Sequence, residues 1–139
     1  MDNCRELLSD STRLVRGIHR DHIKDGGKRI HKAAFIPRKS TPDKPSPDED
    51  GLSVSELRDD IASTLPTRVR TAGGHYCLFL ARDVRRTDGD FPGLEVCPHP
   101  TETDPYHALV IGVPTGRTPA DMARRTRLAE LLAKISNPL

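Results

Sequence analysis

Apolar positions along the chain come in short clusters cut apart by proline, glycine and charge, and no single period runs through the whole length. Leu7 and Leu8, with Leu14 beyond them, suit a short N-terminal helix that Gly17 and the turn "KDGGK" (24–28) interrupt. "RLVRGI" (13–18) reads as a strand, and "RIHKAAFI" (29–36) has the length and apolar content of a second, half-buried one. Together they predict a ribbon near the N-terminus. Pro37, Pro42, Pro45 and Pro47, among Asp43, Asp48, Glu49 and Asp50, exclude regular structure over 37–50, because each proline removes an amide donor and restricts the residue before it.

Beyond that loop, Ser53 stands three residues before Glu56 in a capping-box spacing, ahead of Leu57, Ile61 and Leu65, which predicts a helix over 54–64. The same "GLSVS" also reads as a strand feeding a later helix. Pro66 closes this unit. "HYCLFLARDV" (75–84) is apolar on both alternating faces, as a central strand is, and "LEVC" (94–97) follows as its hairpin partner. "YHALVIGV" (106–113) is a further strand. Thr118-Pro119-Ala120-Asp121 then combines an N-cap, a first-turn proline and an acid facing the helix dipole. The helix it starts, about 119–135, carries an apolar stripe of Met122, Leu128, Leu131, Leu132 and Ile135, with Arg124, Arg125, Arg127 and Lys134 pointing mainly outward.

Strands that do not alternate regularly with helices predict an α+β fold: a small, mainly antiparallel sheet of four to five strands, two to three helices, and the C-terminal helix packed on the sheet. At 139 residues the chain suits one domain, 1–139, holding out the Pro-rich acidic loop at 37–50. With no Trp, three Phe and two Tyr, its core rests on Leu, Val, Ile and Ala and is thin.

Charge alters this picture through its distribution. The net value is only +2, but residues 1–40 hold ten Lys/Arg against five Asp/Glu, and residues 41–65 hold two against seven. A basic segment therefore runs into an acidic one, which suits surface pairing, a phosphate-facing patch or an acidic partner. Aromatic residues are too few among the basic ones for a single-strand stacking platform. "MDNCRELLSD" lacks the basic-then-apolar order of a secretory signal, and no apolar run reaches membrane-spanning length, so a soluble, cytoplasmic protein is expected. Cys4, Cys77 and Cys97 form no disulfide framework by number, and reduced thiols are the corresponding expectation.

Among candidate chemistries, a hairpin symmetric about its loop sets His75 opposite His99 and Cys77 opposite Cys97, four zinc-type ligands on one face. Parallel side chains, Pro98 between two of them and the missing close cysteine pair weigh against zinc, so no metal or other cofactor is assigned. His19 and His22 share a face only in a helix, which the nearby glycines disfavour. His31 and His107 each open an apolar strand as edge residues. Two histidines facing one cleft suit acid/base work on a phosphodiester, but "HKAA" and "HALV" lack the hydroxyl of the two-histidine phosphoesterases. No nucleophile elbow, Walker loop, dinucleotide fingerprint or zincin motif occurs.

With "AAFIPRKS…DEDGLSVS" and "DPYHALVIGVP" the chain resembles a loose family of short, uncharacterised bacterial proteins that share an "AF-x-P" turn, a "GLSV" and a final "HA-x-I" strand before a C-terminal helix. The resemblance spans roughly residues 13–135 and implies a bacterial, intracellular, single-domain origin without implying an activity. More remotely, the chain is similar to bacterial ADP-ribosyltransferase-like toxins, including the RES group. That likeness implies NAD as cofactor and offers Arg16, Ser53, Tyr76 and Glu95 as catalytic residues, although the "E-x-E" or "Q-x-E" turn is missing.

The function expected from these readings is a bacterial cytosolic module that binds another protein, as a non-catalytic accessory subunit of a defence or toxin-antitoxin complex. Phe35, Arg38, Lys39, Asp48, Glu49, Asp50 and Leu52 would form its binding segment, and deleting 39–49 should spare the fold. The alternatives are an NAD-consuming enzyme and a nucleic-acid-binding protein using the N-terminal basic residues with Arg124, Arg125 and Arg127.

Overall fold

A computed structural model describes residues 4–38, 41–43, 46, 48, 51–69, 74–89, 91, 94–114 and 116–139. Its strands are β1 (Arg13–Gly17), β2 (Ile23–Lys24), β3 (Arg29–Ile30), β4 (Leu52–Leu57), β5 (Tyr76–Leu80), β6 (Glu95–Pro98), β7 (His107–Ile111) and β8 (Asn137–Pro138). Its α-helices are α1 (Cys4–Leu7), α2 (Leu65–Arg68), α3 (Ala81–Arg85) and α4 (Pro119–Lys134). Six strands make one antiparallel sheet in the order β6-β7-β4-β1-β5-β8, and β2 pairs with β3 as a separate ribbon. The fold is α+β, as the pattern predicts.

β1 lies inside the sheet, with Leu14 level with Glu56 on β4 and with Phe79 on β5. Period-two alternation then sorts the side chains. Leu14, Leu52, Val54, Phe79, Ala108 and Val110 face one way and are buried together with Leu128, Ala129, Leu132 and Ala133 of α4. The opposite face carries a smaller cluster of Val15, Leu57, Leu65 and Tyr76, and beside it a run of hydroxyl and imidazole groups. α4 begins as expected: the Thr118 hydroxyl accepts from the Asp121 amide at 3.1 Å and donates to the Asp121 carboxylate at 2.8 Å.

Several segments depart from the local reading. Residues 29–36 form only the short β3, after which Lys32–Phe35 make a 3-10 turn started by His31, whose Nδ1 accepts from the Ala33 amide at 3.1 Å. That turn packs against α4 and drives Phe35 edge-on to Phe79, their ring centroids 5.6 Å apart. The ribbon exists, but it joins β2 to β3, because β1 is taken by β4 and β5. Residues 52–57 are strand rather than helix, so Ser53 caps nothing; 3-10 turns over Asp59–Thr64 and the short α2 follow.

The strand expected over 75–84 ends at Leu80, where the Ala81 and Arg82 amides turn to the carbonyls of Thr12 and Asp10 and α3 begins. α3 touches both β5 and β6, which have three strands between them in the sheet, and β6 pairs with β7 instead of β5. Met122 is 52% exposed and lies outside the stripe, which Ala129 and Ala133 complete. Arg125 turns back to cap the carbonyl of Pro114 at 2.9 Å. Cys4 and Cys97 are joined by a disulfide, correcting the expectation of three reduced thiols; Cys77 alone is free, and burial pushes its thiol up to about 12. Among the described residues no helix is long and apolar enough to cross a membrane.

Candidate functional site

On the sheet face opposite α4, a cavity of about 380 Å³ opens over β1, β4 and β7. Alternation in β4 builds its floor: with Leu52 and Val54 in the core, Ser53 and Ser55 must point the other way. Register brings β7 alongside, with Ser55 level with His107 and Ser53 therefore diagonal to it. Ser53 Oγ lies 2.6 Å from His107 Nε2. His107 Nδ1 lies 2.8 Å from the carbonyl oxygen of His99, which only accepts, so Nδ1 carries the proton and Nε2 presents its lone pair to the serine hydroxyl. The His99 ring sits against His107 with its Nδ1 3.2 Å from that of His107. Burial, opposed by the His99 carbonyl and helped by the neighbouring His99 ring, holds His107 below its ordinary pKa and keeps it neutral at pH 7.

One wall of the cavity is closed by paired groups. Asp104, in the β6-β7 turn, meets Arg68 at 2.7 Å and accepts the Ser55 hydroxyl, while Arg58 and Arg68 both lie over the Tyr106 ring. Asp104 is thereby committed to Arg68 and Ser55, and Arg58 to Asp60. The other wall is Arg38, whose Nη2 donates to the Gly17 carbonyl at 2.8 Å, while Nε and Nη1 have no hydrogen bond among the described residues. Burial and the neighbouring Arg16 charge lower the Arg38 pKa, against a weaker pull from Asp48.

Beneath Ser53, on the core side, lies a densely bonded buried pair. Arg16 is fully buried and donates to both carboxylate oxygens of Asp48 (2.9 and 3.0 Å), to the Ala34 carbonyl (2.7 Å) and to the Ser53 carbonyl (2.9 Å). The same carboxylate accepts the Ser53 and Arg38 amides, each at 2.8 Å. Burial pushes the Asp48 carboxyl up, but Arg16 and these two amides outweigh it and hold it below the usual range.

The four residues implied by the toxin likeness do not meet. Arg16 and Ser53 adjoin, but Arg16 is consumed by Asp48 on the core side; the Tyr76 hydroxyl donates to the Val69 carbonyl at 3.2 Å; and Glu95 ion-pairs with Arg85 out on β6. The zinc set is dispersed as well. Cys97 is in the disulfide, Cys77 is buried level with Arg16 and Pro138, and His75 lies off the end of β5, whereas His99 belongs to the β6-β7 turn. Among the described residues no three His, Cys, Asp or Glu side chains are grouped to hold a metal ion. Of the expected partner-binding segment, Phe35, Asp48 and Leu52 are buried and Arg38 lines the cavity, while Lys39, Glu49 and Asp50 lie outside the described residues.

The pairing of Ser53 with His107 is not part of the sequence reading, which treats the first as a cap or, through the toxin likeness, as an NAD-site residue, and the second as a strand edge. A signal is present in "GLSVS": small hydroxyls alternating with Leu and Val mark a strand with one polar face. Comparisons of the chain with protein-family models, with curated proteins and with solved structures find no match.

Proposed function

We propose that the protein binds a small anionic ligand, of the size and charge of a phosphate ester, in the cavity over Ser53 and His107, with Arg38 as the principal cation. One observation carries this reading. Among the described residues Arg16 and Arg38 share one carboxylate, Asp48, which is committed through both oxygens to Arg16. Among the described residues, the exposed Arg38 guanidinium at the edge of a polar cavity has no carboxylate of its own and two donor nitrogens without a hydrogen bond. Ser53 and His107 supply further contacts on the floor, and Thr67 and Thr103 line the rim.

An accessory-subunit role draws less from this arrangement, because it needs Phe35, Asp48 and Leu52 at a surface and all three are inside. Titration with inorganic phosphate, followed by the thermal shift and by the NMR signals of the His107 ring, tests the reading. Phosphate should raise the melting temperature and move the His107 resonances, and Arg38→Gln should remove both effects. Binding that survives Arg38→Gln, or that leaves His107 unmoved, would reject it. Arg38 also borders a second depression with Arg117 and Arg125, and the His107 signals separate the two sides.

A further inference from the structure

Ser53 and His107 form more than a contact between neighbouring strands. The serine oxygen faces the unprotonated nitrogen of a histidine whose other nitrogen is tied to a backbone carbonyl, the relation by which a base activates a hydroxyl nucleophile and a third group orients the base. The strand carrying the serine is fixed around it: its amide is held by Asp48, its carbonyl by Arg16, and both of those side chains are excluded from solvent. The oxygen opens onto a cavity with room for a small substrate, and Arg38, with two donor nitrogens unbonded among the described residues, lines the same cavity.

We propose that Ser53 is the nucleophile, and His107 its general base, of a phosphoryl-transfer reaction on a small phosphate monoester; this rests on the anion-binding reading above. Acyl transfer fits less well. It calls for backbone donors at the developing oxyanion, and the amide of Ser53, a usual donor of that kind, is committed to Asp48. A guanidinium suits instead the charge spread over the outer oxygens of a transferring phosphoryl group.

In the first step the Ser53 O–H proton passes to His107 Nε2, a bond forms from Oγ to phosphorus, and the bond from phosphorus to the leaving oxygen breaks. That oxygen takes the proton from Nε2. In the second step water attacks phosphoserine and gives a proton to Nε2. The Oγ–phosphorus bond breaks, inorganic phosphate leaves, and Ser53 recovers its proton. Arg38 holds the outer oxygens throughout, and no metal or oxidant enters the balance.

The experiment uses p-nitrophenyl phosphate with the full chain, reading nitrophenolate release and, after acid quench, the intact mass. The wild type should release nitrophenolate and gain one phosphoryl group, mapped to Ser53 by peptide fragmentation. Ser53→Ala should lose both while keeping its circular-dichroism spectrum. His107→Gln should slow release roughly 10²- to 10⁴-fold, the range for a general base. Nitrophenolate release unchanged in Ser53→Ala overturns the proposal, as does its absence from a wild type that binds inorganic phosphate through Arg38. The second result leaves the binding reading standing, whereas failure of phosphate to bind defeats that reading separately. A Ser53 modified by p-nitrophenyl acetate and never by the phosphate ester would overturn the substrate class.

Discussion

Asp48, from the proline-rich acidic stretch, closes a two-pronged ion pair on Arg16 in the centre of the sheet, at 2.9 and 3.0 Å, with both side chains out of contact with water. The loop that local sequence presents as a solvent-facing bridge thus sends one of its acids into the interior. Four of Arg16's bonds and four of Asp48's acceptances are made there, so the pair is satisfied as well as neutralised.

Removing one partner strands a buried charge. Asp48→Ala should lower unfolding stability by about 3–5 kcal/mol in urea denaturation, whereas Arg16→Met combined with Asp48→Leu should lose distinctly less. Deleting 39–49, which takes Asp48 with it, should unfold the protein, contrary to the expectation drawn from the loop's composition. A deletion that leaves the melting temperature in place would contradict the pairing.

The Cys4–Cys97 disulfide spans 93 positions of the chain and ties α1 to β6. Loop-closure entropy for so long a loop corresponds to about 4–5 kcal/mol in the chain-entropy treatment, with less commonly delivered. Dithiothreitol should therefore lower the melting temperature of the wild type and leave Cys4→Ser unaffected. Equal melting temperatures with and without reductant would count against a formed bridge.

His107 is held neutral by burial, so its folded pKa lies below the unfolded value of about 6.5. As pH falls through that unfolded value, the unfolded chain takes up a proton that the folded site refuses, and stability declines until the lowered folded pKa is passed. His22, lowered by burial and by His19, His31, Arg38 and Arg16 in turn, adds to the same slope. Denaturation midpoints between pH 7 and 5 should fall in the wild type and fall less in His107→Gln. Parallel profiles would show that His107 is not neutral in the fold.

Gly51 enters β4 at φ +155°, and a β-carbon there would stand 2.7 Å from the Val110 carbonyl oxygen, a backbone atom of the strand paired with it. Gly51→Ala should cost about 1–3 kcal/mol through strain and a displaced β7. Because Ser53 and His107 face each other across that strand pair, the substitution should also weaken phosphate binding. Unchanged stability would mean that β7 shifts freely.

How much of this was legible beforehand differs from element to element. β1, β5, β7 and α4 follow from short apolar alternation and from the Thr118-Pro119 start, since these signals are local and backbone geometry answers to them directly. Residues 52–57 satisfied two local rules at once, a capping-box spacing and a strand alternation, and only the neighbouring β1 and β7, which bury Leu52 and Val54, decide for the strand. "LEVC" and "HYCLFL" look like neighbours along the chain. The turn into α3 carries them to opposite sides of the sheet order, and with them the supposed zinc ligands.

What the sequence by itself determined is the α+β class and most of the apolar face of α4, whereas Phe35 and Leu52, expected in a binding segment, are buried. Tertiary structure alone decided that Arg16 meets Asp48, that Cys4 meets Cys97 and that Ser53 meets His107, pairs separated by 32, 93 and 54 positions. The reason is physical: periodicity states which side of an element is apolar, but strand order and register state who stands opposite. Those are set by the whole core at once, and a single residue's neighbours in sequence carry no record of them.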